Sequence, residues 1–111
     1  MIRLAALTFV GSAILGLGGF ATPAAAACQR PVDVSVRGGE AHWTECHNGN
    51  KTQVEGWVKD TKADGKCAEV YSMFSNGKTE RSKRACPKGQ IQRFHFEQGA
   101  GDAQTYLRVV G

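Results

Sequence analysis

The chain has 111 residues with four cysteines, and its formal net charge is +4 at pH 7. This length leaves room for one small domain, and so mild a charge does not by itself identify nucleic acid or any other partner. Four cysteines in so short a chain indicate two disulfides formed in an oxidising compartment.

The first 27 residues are typical of a signal peptide. Arg3 supplies a minimal positive start, residues 4–17 are mostly apolar, and Ala25-Ala26-Ala27 provide the small residues of a cleavage site. The stretch is too short and too rich in glycine for a membrane-spanning helix. An alternative, lipid attachment at Cys28, would leave an odd number of cysteines in the domain. We therefore predict a secreted, extracellular chain without a membrane span, whose mature part is residues 28–111.

A β-hairpin is predicted at the start of the mature part. Residues 32–37 and 40–46 alternate apolar and polar side chains, and Gly38-Gly39 interrupts the alternation. A two-residue turn on these glycines places Val34 opposite Trp43. In this register the apolar side chains share one face of the hairpin, so Trp43 is predicted to lie in the core.

A second hairpin is predicted around Asn76-Gly77, the dipeptide most typical of a two-residue type I′ turn. This turn makes Cys67 and Cys86 neighbours across the two strands, at a distance that a disulfide tolerates. The same register places Glu69 opposite Arg84, an opposite-charge pair that favours it. The cysteines fall at the wider type of strand pair, so a bulge is expected to adjust the geometry.

The remaining cysteines, Cys28 and Cys46, are predicted to pair with each other. Cys28 lies near the end of the first hairpin at which Cys46 also emerges. Four cysteines allow three pairings, and the sequence does not exclude the other two. Each predicted disulfide closes a loop of about 20 residues, which is worth on the order of 3 kcal/mol in the chain-entropy model.

Three further strands are predicted at residues 53–59, 91–96 and 105–110, with turn-rich segments between them and no helical pattern in the mature part. About seven short strands predict a single all-β domain spanning residues 28–111. The expected fold is a small antiparallel β-sandwich with an immunoglobulin-like flavour and two disulfides, and the alternative is a small β-barrel.

No motif of the mature part predicts an enzyme, a cofactor or a metal site. His42, Cys46 and His47 resemble a zinc-ligand cluster, but an oxidising compartment favours a disulfide over a thiolate. Residues 60–65 resemble the first half of a twelve-residue calcium loop. Position twelve of that loop falls on Tyr71, however, where a glutamate is required. We therefore expect a non-catalytic protein without a bound cofactor.

Two aromatic side chains are the strongest candidates for ligand contact. Trp57 lies opposite the apolar face of its strand, and Tyr106 alternates with the apolar residues of the last strand. Aromatic rings on polar faces would stack on a sugar ring or anchor a protein partner. Arg81 and Lys83 would assist if the ligand were anionic, and Arg84 is expected to project from the opposite face. These four residues, Trp57, Tyr106, Arg81 and Lys83, predict a module that binds extracellular polysaccharide or an anionic cell-envelope polymer.

Two other functions remain open at this point. Residues 84–89 form a basic segment beside a disulfide, a rigid loop of the kind that a secreted inhibitor or effector uses on a protein partner. A passive envelope protein without a discrete site is the third hypothesis. Nucleic acid is not an expected partner, because the basic residues of the second hairpin do not all converge on one face, and we expect a monomer.

Three segments resemble small secreted proteins that are common in actinobacteria. They are DTKADGKC at residues 60–67, KRACPKG at 83–89 and YLRVV at 106–110. The resemblance covers mainly the C-terminal half of the mature part and implies secretion and a β-domain with two disulfides. It implies no catalytic or ligand-binding residue.

Overall fold

The computed structural model describes residues 27–111, so the predicted signal peptide, residues 1–27, lies outside the described residues except for its last alanine. The described chain forms eight β-strands and no helix, which confirms the all-β prediction. It therefore contains no helix long and apolar enough to cross a membrane. The strands are β1 (Ala27–Cys28), β2 (Val32–Val36), β3 (Gly39–Asn48), β4 (Lys51–Asp60), β5 (Cys67–Phe74), β6 (Thr79–Arg81), β7 (Ile91–Gln98) and β8 (Ala103–Val110).

The strands form two antiparallel sheets that pack in a sandwich-like arrangement, as predicted. Sheet A has β3, β4 and β7 side by side, and β1 and β2 both pair with the free edge of β3. Sheet B has the order β6, β5, β8. Hairpin turns connect β2 with β3, β3 with β4 and β5 with β6. The chain changes sheet between β4 and β5, between β6 and β7 and between β7 and β8.

The core lies between the two sheets and is built by the alternation of each strand. Trp43 is only 6% exposed and belongs to this core, as the sequence predicts. The other large core side chains are Val54, Val58, Val70, Phe74, Phe94 and Phe96. A core this small supplies limited stability, so the two disulfides contribute a large share of it.

The first hairpin turns one residue earlier than predicted. The turn residues are Arg37 and Gly38, and Val32 rather than Val34 lies opposite Trp43. Gly38 has a φ of +93°, which suits a glycine. Gly39 serves a different purpose, since a Cβ atom there would lie 3.1 Å from the side chain of Ala68 in sheet B. The resulting two-residue shift in pairing keeps every side chain on its predicted face.

The second hairpin has a three-residue loop instead of the predicted two-residue turn. Phe74 N donates to Lys78 O at 2.8 Å, and Gly77 N donates to Phe74 O at 2.9 Å. Gly77 has a φ of +88°. This is a type I turn followed by a bulge residue in the left-handed region, an alternative that Asn-Gly sequences also permit.

A bulge follows β6 and compensates for the longer loop. Tyr71 pairs with Arg81, whereas the predicted register pairs Tyr71 with Ser82. Ser82 N donates to Val70 O at 2.8 Å, and the Ser82 hydroxyl accepts from Val70 N at 3.0 Å. Since the hydroxyl replaces a backbone carbonyl in the ladder, one extra residue fits here without leaving Val70 N unpaired.

Both predicted disulfides are confirmed. Beyond the bulge the register returns to the predicted one, and Cys67 bonds Cys86 across sheet B with a Cα–Cα distance of 4.8 Å. Cys28 bonds Cys46 where β1 pairs with β3, with a Cα–Cα distance of 3.9 Å. Each disulfide therefore fixes an edge segment to a longer strand.

Candidate functional site

The predicted ligand-contact residues lie on two opposite faces of the sandwich. Trp57 projects from the outer face of sheet A, because its neighbour Val58 is fully buried. Tyr106 projects from the outer face of sheet B. We call these surfaces the sheet-A face and the sheet-B face. They point away from each other, so Trp57 and Tyr106 do not form one site.

On the sheet-A face, Trp57 lies in a row of paired residues that crosses four strands: Asp33, His42, Trp57 and Arg93. The rings of His42 and Trp57 stack at 6.1 Å with an interplanar angle of 15°. His42 Nδ1 also contacts Asp33 Oδ1 at 2.7 Å. Trp57 is half-buried, so part of its surface is already covered by protein.

The charged side chains beside Trp57 pair mainly with one another. His95 lies 3.1 Å from Glu55 and 3.7 Å from Glu97. Glu97 also accepts from Gln53 Nε2 at 3.0 Å and pairs with Lys51 at 3.4 Å. The hydrogen bond from Gln53, followed by the contact with Lys51, lowers the pKa of Glu97. Arg93, beside Trp57 in the same row, is the exception, because it is exposed and has no carboxylate partner among residues 27–111.

The sheet-B face carries a pair of tyrosines. Tyr71 of β5 and Tyr106 of β8 are paired in the ladder, and their rings stack at 5.3 Å with an interplanar angle of 28°. The guanidinium of Arg108 lies 4.5 Å from the centre of the Tyr71 ring. Tyr106 is 41% exposed, and its hydroxyl donates to Gln104 Oε1 at 3.0 Å. Tyr106 therefore offers an exposed ring that its neighbours hold in place.

Glu69 anchors the cations of the sheet-B face. It is only 3% exposed and accepts from Arg108 Nε at 2.6 Å, while Arg84 Nε lies 3.6 Å from its other oxygen. The predicted contact between Glu69 and Arg84 is therefore confirmed. Arg108 is the closer partner, and the sequence does not indicate it because β5 and β8, whose pairing joins the two residues, lie far apart in the chain.

The bulge after β6 corrects the prediction that Arg81 and Arg84 project from opposite faces. Arg81 pairs with Tyr71, and Arg84 reaches Glu69, two residues away on the same side of β5. Both arginines therefore belong to the sheet-B face. The reason is the extra residue at the bulge, which reverses the alternation between Arg81 and Arg84.

This face has more cations than anions. Among residues 27–111, no carboxylate pairs with Arg81 or Lys83, and both are exposed. Lys83 lies in the irregular segment that follows β6. Met73, 42% exposed, adds an apolar surface near the tyrosines. Aromatic, apolar and unpaired cationic groups thus occur together on the sheet-B face.

A shallow cavity of about 270 Å³ lies at the end of sheet B that carries the second disulfide. It is lined by Cys67 and Cys86 and by three lysines, Lys62, Lys66 and Lys88. The segment on one side of it is tightly held, since Gly89 N donates to Asp60 O at 2.7 Å. The lysines extend the positive charge of the sheet-B face past the disulfide.

One group of side chains in the described part of the chain could hold a metal ion. One ligand atom from each of Glu45, His47 and Asp102 lies within 4.8 Å of the others. The group is at the end of the sandwich opposite the second disulfide, because Asp102 precedes the residue that pairs with Phe74. It uses neither cysteine sulfur nor His42, so it differs from the zinc cluster considered in the sequence.

Comparisons with protein-family models, with curated proteins and with solved structures found no match to this chain. Of the predicted ligand-contact residues, Tyr106 and Arg81 come together in one row, Lys83 lies along the chain from them, and Trp57 is separate. Tyr71 was missed, although the alternation of residues 67–74 places it on the same face as Glu69.

Proposed function

We propose that residues 28–111 form a secreted, non-catalytic module that binds an anionic extracellular polysaccharide through the sheet-B face. The observation that carries this proposal is the row in which Arg81, Tyr71 and Tyr106 lie side by side across three strands. The exposed ring of Tyr106 would stack on the apolar face of a sugar ring. The unpaired guanidinium of Arg81 would bind a carboxylate or sulfate group on the same polymer.

The shape of the face supports a polymer over a small ligand. The tyrosines, Met73 and the arginines lie on an open sheet surface, whereas small ligands are usually enclosed in clefts. Lys83 and the lysines around the second disulfide would add cationic contacts along the same direction. A chain of repeating anionic sugars could occupy several of these positions at once, each with a modest contribution.

Secretion is supported by the chemistry of the cysteines. Both disulfides join residues at neighbouring positions of the ladder, and no cysteine of the described residues is free. Such disulfides persist outside the reducing cytosol. The signal-like sequence of residues 1–27 points to the same compartment.

The contacts of Arg84 favour the polysaccharide hypothesis over the inhibitor hypothesis. An inhibitor loop must present a side chain to the partner's pocket, but the guanidinium of Arg84 is engaged by Glu69. The next residues are also held, since Cys86 N donates to Gln90 Oε1 at 3.0 Å. The basic loop is rigid, but its arginine faces its own sheet.

The test compares two aromatic variants on opposite faces. The purified protein is titrated with polygalacturonate, with a sulfated polysaccharide and with neutral dextran. We expect binding to the anionic polymers only, weakened by salt. Tyr106→Ala should reduce affinity about tenfold, which corresponds to about 1.4 kcal/mol, and Trp57→Ala should leave it unchanged. No binding to either anionic polymer, or a loss confined to Trp57→Ala, would overturn the proposal.

Arg81→Gln provides a second measurement. Removing an unpaired guanidinium should weaken binding to the anionic polymers and reduce its dependence on salt. The matched control is Arg93→Gln, since Arg93 is an exposed arginine in the row of Trp57 on the sheet-A face. Equal effects of the two substitutions would show that net charge, and not the sheet-B face, determines binding.

A further inference from the structure

Glu45, His47 and Asp102 converge from two parts of the fold. Glu45 and His47 are two residues apart on β3, so their side chains project from the same side of the strand. Asp102 comes from the loop between β7 and β8. Glu45 is 8% exposed, His47 is partly buried and Asp102 is exposed. An ion could therefore enter from the solvent past Asp102 and reach the more buried ligands.

The hydrogen bonds of Thr52 determine which nitrogen of His47 is available. The hydroxyl of Thr52, which is fully buried, donates its only proton to the carbonyl oxygen of Ala100 at 2.6 Å. Thr52 Oγ1 also lies 3.2 Å from His47 Nδ1, so in that contact Nδ1 must be the donor. A neutral His47 then has its lone pair on Nε2. Metal-binding histidines are commonly oriented in this way, by a partner that accepts from the other ring nitrogen.

The available nitrogen faces acceptors only. His47 Nε2 lies 2.8 Å from Glu45 Oε2, and the side chain of Glu45 also contacts the carboxyl group of Asp102. Without additional protons, three groups that accept hydrogen bonds point at one another. A divalent cation would satisfy all three at once.

We propose that Glu45, His47 and Asp102 bind a first-row divalent transition-metal ion, with zinc preferred. One imidazole nitrogen and two carboxylates are ligands that zinc accepts in four-coordinate sites, with water in the fourth position. Calcium and magnesium prefer ligand sets made of oxygen atoms alone, whereas this group includes an imidazole nitrogen. The bound ion would tie the loop between β7 and β8 to β3. The hydrogen bond between Thr52 and the Ala100 carbonyl already ties the same loop to β4.

This site is independent of the sheet-B face and does not rest on the proposed polysaccharide binding. It also agrees with the assignment of Cys46 to a disulfide, since the sulfur is not a ligand. The disulfide supports the site indirectly. Cys46 lies between Glu45 and His47 on β3, and its bond to Cys28 holds this part of the strand. In addition, Gln29 N donates to Glu45 O at 2.8 Å.

The test is calorimetric titration of the metal-free protein with zinc, and with calcium and magnesium for comparison. We expect one zinc ion per chain, no binding of calcium or magnesium at the same concentrations, and a higher unfolding temperature in zinc. His47→Gln and Asp102→Asn should each weaken zinc binding at least tenfold. Thr52→Val, which removes the acceptor for His47 Nδ1, should weaken it about tenfold or more.

His95→Gln is the matched control. His95 also lies between two carboxylates, Glu55 at 3.1 Å and Glu97 at 3.7 Å, but on the open sheet-A face and without a partner like Thr52. Zinc affinity should be unchanged in this variant. The proposal would be overturned if the wild-type protein bound no zinc in molar excess, or if His95→Gln weakened binding as much as His47→Gln. Because Asp102 is exposed, Asp102→Asn keeps the test decisive even if another variant fails to fold.

Discussion

The two outer faces of the sandwich differ in how their aromatic and charged side chains are arranged. On the sheet-A face, His42 is matched by Asp33, and Glu97 is surrounded by Gln53, Lys51 and His95. On the sheet-B face, one buried carboxylate, Glu69, serves two arginines, and Arg81 and the exposed tyrosine ring face solvent. Each face keeps an unpaired arginine in its aromatic row, since Arg93 beside Trp57 also has no carboxylate partner among residues 27–111. The feature that distinguishes the sheet-B face is the exposed ring of Tyr106 in the row of Arg81.

The two sheets also differ in construction. Sheet A contains the two longest strands, β3 and β4, which pair along their whole length. Sheet B has a three-residue edge strand, β6, followed by a bulge. The disulfide between Cys67 and Cys86 closes the ladder beyond this bulge. Each sheet therefore has one disulfide, and in sheet B it lies beyond an irregular edge.

The largest expected effect comes from removing one disulfide at a time. Each closes a loop of similar size, with sequence separations of 18 and 19, so each double alanine variant should lose about 3 kcal/mol of stability. The local consequences should differ. Without Cys67–Cys86, hydrogen exchange should accelerate in β5 and β6, and binding of anionic polysaccharide should weaken. Without Cys28–Cys46, exchange should accelerate in β1 and β3, and zinc binding should weaken.

Urea unfolding at neutral pH and hydrogen exchange read by mass spectrometry measure these effects. A large difference between the two losses of stability would contradict the equal-loop argument. The two sites lie in different parts of the sandwich, which implies that they are independent. This independence would be contradicted if either variant lost polysaccharide and zinc binding together.

The sequence predicts which side chains are buried better than it predicts their pairing. A shift of two residues moved the first hairpin's register but left Trp43 in the core, because alternation has a period of two. In the second hairpin, the loop is one residue longer than predicted and the bulge after β6 compensates by one residue. Cys67 therefore still bonds Cys86. The turn types themselves depend on contacts between sheets, such as that of Gly39 with Ala68, which local sequence does not contain.

The candidate sites show the same limit. Tyr106 and Arg81 were predicted individually, but their alignment through Tyr71 depends on β5 lying between β6 and β8. Asp102 meets Glu45 only after the loop between β7 and β8 has folded back over sheet A. These are contacts between residues far apart in the chain, and no pattern of spacing within one segment indicates them.

A smaller effect is expected from Glu69→Gln. The substitution removes a nearly buried carboxylate that pairs with Arg108 and Arg84, whose side chains are 41% and 56% exposed. Because solvent screens both arginines, the loss of stability should be about 1 kcal/mol, below the usual value for a charged hydrogen bond. The released arginines should strengthen binding to anionic polysaccharide. Urea unfolding and the polymer titration measure the two outcomes.

Glu55→Gln on the sheet-A face is the control for this substitution. Glu55 is 64% exposed and, among residues 27–111, pairs only with His95, so its loss should change stability by less than about 0.5 kcal/mol. If Glu69→Gln weakened polysaccharide binding instead of strengthening it, the ordered positions of the arginines would matter more than their charge. Equal stability changes in the two variants would contradict the contrast between the faces.

The smallest expected effect comes from Glu97→Gln, which tests whether the ion pairs of the sheet-A face stabilise the fold. Since the contacts of Glu97 with Gln53 and Lys51 lower its pKa, the folded chain binds this proton less tightly than the unfolded chain does. The stabilisation is therefore present at neutral pH and is lost as the pH falls through the folded-state pKa, below 4.5. Glu97→Gln should lower the urea midpoint slightly at pH 7, with a difference that shrinks towards pH 3 and in high salt.

Glu40→Gln, which removes a carboxylate without an ion-pair partner among the described residues, should show no such pH dependence. The same pH dependence in both variants would mean that the pairing around Glu97 contributes nothing beyond general charge.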